Sequence, residues 1–119
     1  MGLQFNEYQE KAHTTASYPC GTIGKEAHAV NYLYPALGLA EEAGEVAGKY
    51  AKAIRDNQGV VFDHDRETAI IKELGDVMWF VAELATCLGV KLEDVAQKNL
   101  DKLASRKERG VIHGNGDDR

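Results

Sequence analysis

Apolar residues recur three and four positions apart in this chain rather than alternating, in four stretches punctuated by Gly, Pro, Asn and Asp. That spacing predicts four amphipathic helices and no strand. The first helix is expected from Asn6 to Tyr18, ending at Tyr18-Pro19-Cys20-Gly21. A loop with Gly21 and Gly24 follows. A second helix is expected to open near Pro35, where a proline suits the first turn, and to stop near Asp56-Asn57-Gln58-Gly59. Asp63 or Asp65 can cap a third, which continues to Leu88 with Gly89 as its stop, and the fourth runs from Leu92 to Arg109, closed by Gly110. The last nine residues, Val111 to Arg119, are polar and glycine-rich, without periodicity. The pattern predicts an all-α bundle of about four helices in a single domain spanning 1–119.

Two acids in this pattern stand where apolar side chains belong. At about 100° per residue, Glu42 and Glu45 lie about 60° apart on the second helix, and Glu42 interrupts the stripe between Leu39 and Val46. Glu41 points away and is peripheral. The third helix repeats the arrangement: Glu73 lies between Ile70 and Val77, with Asp76 one turn on at the edge of the face. A buried carboxylate costs several kcal/mol unless it is protonated, paired or bound to metal. Solvent-facing acids paired with Lys49, Lys52, Lys72 or Arg55 would explain one such pair. Two pairs on adjacent helices point to a cation, since bundles build metal sites from carboxylates on facing helices. Oxygen donors without His or Cys favour Mg²⁺, with Mn²⁺ as a substitute.

The fourth helix supplies the opposite charge. Asn99, Lys102 and Arg106 fall on the same side as Leu92, Val95, Ala96 and Leu103. Cations beside a metal suit an anionic ligand, with Arg able to grip phosphate oxygens bidentately; the competing reading has both side chains reaching to the surface. Trp79, one turn beyond Asp76, can stack on a base or pack in a core or subunit contact. The candidate substrate contacts are therefore Lys49, Trp79, Asn99, Lys102 and Arg106.

Composition narrows the partners. The chain has 119 residues, 44% hydrophobic, and a net charge of −5. That is enough for one core, and it disfavours nucleic-acid polymers and anionic membranes. The longest apolar run, Val77 to Ala82, is far too short to span a bilayer. Cys20 and Cys87 form no metal or disulfide pattern, and a reduced, cytoplasmic protein is expected.

Glu41-Glu42-Ala43-Gly44-Glu45 followed by Glu73-Leu74-Gly75-Asp76 resembles the MazG-type all-α nucleoside triphosphate pyrophosphohydrolases. The flanking segments YPALGLAEEAGEVAGK, IIKELGDVMWFVA, KNLDKLASRKERG and GVIHGNGDDR resemble small single-domain members. The resemblance implies Mg²⁺-dependent cleavage of a nucleoside triphosphate to the monophosphate and pyrophosphate. It implies metal ligation by Glu42, Glu45, Glu73 and Asp76, with Glu41 as an outer-shell or second-metal group. It also implies a homodimer or homotetramer whose sites lie near the subunit interface, so that Lys102 or Arg106 reaches a neighbour's site. Glu41 or Glu45 is the candidate to orient or deprotonate the attacking water, and attack at the α or the β phosphorus gives the same products. A ferritin-like di-metal oxidoreductase would need two E-x-x-H pairs, and only Glu10 with His13 fits. His64-Asp65 reads as a helix cap. The alternative from another class is a non-catalytic oligomerisation or nucleotide-sensing module with a structural divalent metal.

Overall fold

The computed structural model describes residues 2–18, 29–57 and 63–119, with the side chains of 29–32 and of Asn57 left aside. Among these residues four helices form: α1 (Phe5–His13), α2 (Ala29–Asn57), α3 (His64–Cys87) and α4 (Leu92–Glu108). The predicted all-α class and helix number hold. The loop expected around Gly21 and Gly24, and Cys20, lie outside the described residues.

Two boundaries differ from expectation. α1 stops at His13 rather than Tyr18. Thr14 Oγ1 and Thr15 Oγ1 donate to the carbonyls of Lys11 and Ala12 at 2.6 and 2.7 Å, while their own N–H groups bond only three residues back. The threonines thus close the helix locally in a tight turn. Pro35, expected in the first turn of α2, lies inside it. An interior proline removes one helical hydrogen bond and costs about 3 kcal/mol, which burial of this ring offsets in part, since Pro35 is fully enclosed.

The remaining ends follow local rules. Asp63 caps α3, its carboxylate accepting from the Arg66 N–H at 2.9 Å, and Asp65 and Glu67 sit in the first turn, where the helix dipole favours acid. α3 and α4 finish alike: Gly89 and Gly110 each adopt φ of +69°, and the next N–H (Val90, Val111) returns to the carbonyl five residues back (Ala85, Arg106). Only a residue without Cβ takes that turn at no steric cost.

α2 and α3 form the main antiparallel pair, with Gly38 against Phe80 near one end and Lys49 against Glu73 further along. Gly38 is what permits the approach: a Cβ there would stand 2.2 Å from Phe80 Cε1. α1 packs on α3, and α4 on α1 and α3; among the described residues α4 makes no packing contact with α2. The N-terminus of α4 has no side-chain cap of its own. Instead α1 provides one: Gln9 Oε1 accepts from the Leu92 N–H at 2.8 Å and Asn6 Oδ1 from the Glu93 N–H at 3.1 Å. Beyond that anchor the apolar stripe of α4 is not covered, with Val95 and Leu103 exposed; Leu92 and Arg106 are its buried residues. The stripe expected to face the core therefore largely faces solvent in a single chain.

Candidate metal centre

The antiparallel pairing of α2 and α3 sets the E-x-x-D segment against the E-E-x-x-E segment one turn past the Gly38–Phe80 contact. Carboxylate oxygens of Glu42, Glu73 and Asp76 converge, all within 4.8 Å of one another. Glu42 and Glu73 are half-buried and Asp76 is exposed at the edge, as expected for two acids set into apolar stripes and one at the rim. Oxygens sharing one Mg²⁺ at about 2.1 Å lie roughly 3 to 4.2 Å apart, so small side-chain movements bring the three onto one ion.

Electrostatics favour the same conclusion. The Glu42 carboxyl is pushed above its ordinary range, first by burial and then by the charges of Asp76, Glu73, Glu41 and Glu45. A divalent cation relieves both causes, and an all-oxygen donor set suits a hard ion. Lys49 Nζ lies 3.1 Å from Glu73 Oε1 and supplies a single positive charge at the rim.

The other candidate residues are distributed as follows. Glu41 and Glu45 are exposed; neither joins the three converging carboxylates, though both are close enough to raise Glu42. Trp79 is half-buried on α3, its indole N–H donating to Thr15 Oγ1 at 2.8 Å and to the Ala12 carbonyl at 3.2 Å, with its ring edge-on to Phe80. Its polar edge is thus used in α1–α3 packing, the packing alternative raised by the sequence. Asn99 is exposed on α4. Lys102 and Arg106 meet the chain's own C-terminal tail: Lys102 Nζ lies 3.4 Å from Asp117 Oδ1, and Arg106 Nη2 donates to the Asp117 carbonyl at 2.8 Å.

One polar group escaped the sequence reading. Glu83 is fully buried on α3, and its carboxylate accepts from the Tyr18 hydroxyl at 2.8 Å and from His13 Nδ1–H at 3.1 and 3.2 Å. Tyr18 is pushed well above its ordinary range by burial, then by its hydrogen bonds to Cys87 and Glu83. Its ring stacks on Tyr34 with centroids 4.7 Å apart. Glu83 carried the same signal as Glu42, an acid within an apolar run. His13, considered above as half of an E-x-x-H pair, is its partner.

A pair of antiparallel helices joined by converging acids from E-x-x-E and E-x-x-D segments defines a class. The MazG nucleotide pyrophosphohydrolase domain matches residues 33–111, so this chain belongs to the MazG family. It is also similar, at 47% identity over 112 residues, to the Gene 37 protein of Mycobacterium phage L5, with 94% of this chain and 96% of that protein covered. No solved structure matches the chain. The family match begins after α1 and ends at Val111, leaving α1 and most of the tail outside it. No helix among the described residues is long and apolar enough to cross a membrane.

Proposed function

We propose that the protein hydrolyses a nucleoside or deoxynucleoside triphosphate to the monophosphate and pyrophosphate with Mg²⁺, Mn²⁺ substituting, in nucleotide-pool housekeeping. The observation that carries this is the convergence of Glu42, Glu73 and Asp76 within a MazG-family chain. These three would hold the ion, with Glu45 one turn along α2 as a further ligand. Bound there, the ion supplies Lewis-acid stabilisation of the charge that develops on the leaving pyrophosphate.

The chain's own residues do the rest. Glu41 or Glu45, exposed beside the cluster, orients the attacking water or takes its proton. Lys49 stands within reach of the cluster's edge and is placed to hold a phosphate oxygen as a point charge. Asn99, Lys102 and Arg106 are further triphosphate contacts. Because α4 makes no packing contact with α2 among the described residues, they are best delivered by a neighbouring subunit, so the working unit is a homodimer or homotetramer. Any stacking of a base on Trp79 uses its ring face, because its N–H already donates to α1.

The test is pyrophosphate release from a panel of canonical and modified triphosphates with Mg²⁺, Mn²⁺ or EDTA, and Glu73→Gln as the folded control. Metal-dependent release that Glu73→Gln lowers at least about a hundredfold is expected. Metal binding without release from any triphosphate would replace this reading with the non-catalytic sensing module.

A further inference from the structure

Beyond Gly110 the chain reverses, and the last residues lie back against the C-terminal half of α4. Arg106 Nη2 donates to the carbonyls of Asp117 at 2.8 Å and Gly116 at 3.4 Å, and to Asp117 Oδ1 at 3.3 Å. Lys102 Nζ reaches the same Oδ1 at 3.4 Å. The tail is held from its other side too: Arg109 Nη2 donates to the Arg119 carbonyl at 2.7 Å, and the Arg119 guanidinium to the carbonyls of Gly116 and Ile112.

The two sides of this contact are unequal. Arg106 is 5% exposed, and its Nε is enclosed with no hydrogen-bond partner. The Asp117 side chain is 86% exposed and engages both cations through one oxygen. Both separations exceed the 2.7–2.9 Å typical of charge-assisted hydrogen bonds. A buried guanidinium with an unused N–H and a lysine therefore share a carboxylate too small to satisfy them. A phosphoryl group, with three oxygens and greater charge, has the acceptors that the seat lacks.

We infer that the C-terminal tail is a built-in competitor: Asp117 occupies, within its own chain, the anion seat that Lys102 and Arg106 offer to a phosphoryl group. This rests on the reading of those two residues as phosphate contacts. The Asp117 carboxyl is held below its ordinary range by Lys102, through charge and hydrogen bond, and by Arg106, so the competitor is anionic at neutral pH. The guanidinium groups of Arg106, Arg109 and Arg119 anchor the tail by donating to its backbone carbonyls, not to the carboxylate, so removing that charge weakens the competitor without detaching the tail.

Titration calorimetry with inorganic pyrophosphate and Mg²⁺ tests this, because it reads binding whether or not the protein turns over a triphosphate. Asp117→Asn is expected to tighten pyrophosphate binding roughly two- to fivefold, the upper part of the range for relieving one exposed ion pair. Asp118→Asn makes the same charge change one residue on and should alter the affinity less than about twofold. In a Lys102→Ala background the gain from Asp117→Asn should shrink, since half of the seat is gone. Unchanged or weaker pyrophosphate binding by Asp117→Asn would overturn the inference and make the contact a structural clasp, as would equal gains from both asparagine variants or absence of pyrophosphate binding in all proteins. Hydrolysis by the wild type with no Asp117→Asn effect leaves the proposed function standing and removes the competitor. Tighter binding by Asp117→Asn without hydrolysis does the reverse.

Discussion

Glu42 and Glu83 are both acids set into apolar helix faces, and the chain resolves them in opposite ways. Glu83 has two donors, His13 and Tyr18, and no room for anything else. Glu42 has four other acids for neighbours besides a half-buried position. Replacing Glu83 by Ala strands those donors and should cost about 3 to 5 kcal/mol in urea denaturation, with divalent metal affinity per folded molecule unchanged. Glu42→Gln should do the converse, raising the thermal midpoint of the metal-free protein while abolishing metal binding. The pH dependence has a definite sign. The folded-state pKa of Glu42 is raised, so its contribution to stability is complete below the ordinary carboxylate range and falls as pH rises through the raised value. In EDTA, the deficit of the wild type against Glu42→Gln should widen from pH 4.5 to 8, and Mg²⁺ should reverse it at the upper end. A difference independent of pH would remove repulsion among the acids as its cause.

At the scale of elements, α2 and α3 meet closely because Gly38 leaves space for the Phe80 ring. Gly38→Ala should cost about 1 to 3 kcal/mol by overpacking. It should also lower metal affinity, since Glu42 lies one turn along α2 and Asp76 one turn back on α3. Gly48→Ala meets nothing within 4 Å and should be neutral or stabilising by up to about 1 kcal/mol through helix propensity; thermal melts of the two variants check both. What was legible in the sequence follows from range. The Asp63 cap, the Gly89 and Gly110 stops and the acid pairs at i, i+3 depend on neighbours along one helix, and the pattern reveals those. The early end of α1 turns on two threonine hydroxyls competing with the helix, and Pro35 inside α2 on tertiary burial that offsets part of a local penalty. Glu83 looked like Glu42 because its partners come from α1 and the residues after it, and the tail's return onto Arg106 has no periodic signature at all. An acid in an apolar stripe thus signals an unmet charge, but not whether a cation, a histidine or a tyrosine meets it.

At the scale of the whole molecule, a single chain exposes more than its size requires. Its accessible surface is 8720 Å², against about 6,400 Å² for a folded monomer of its mass. Its radius of gyration is 17.4 Å, against about 13.5 Å for a compact domain of this length. Part of the excess is apolar and periodic: Ile71, Leu74 and Met78 form an exposed stripe on α3, at 67%, 47% and 46%. Leu33 and Leu37 add a further exposed turn on α2. A second copy is the simplest cover, and it would also bring cations of α4 toward the acids of α2, with which α4 makes no packing contact among the described residues. Light scattering should therefore find a dimer or tetramer, and Ile71→Asp should shift it toward monomer with loss of triphosphate hydrolysis. Subunit mixing separates assembly from shared sites. Glu73→Gln and Lys102→Ala, each inactive alone, should regain activity when unfolded and refolded together, because a mixed assembly contains a site with wild-type acids from one chain and wild-type Lys102 from the other. A fully active monomer would refute the assembly. An oligomer that shows no recovery on mixing would keep the assembly and return Lys102 to the site of its own chain.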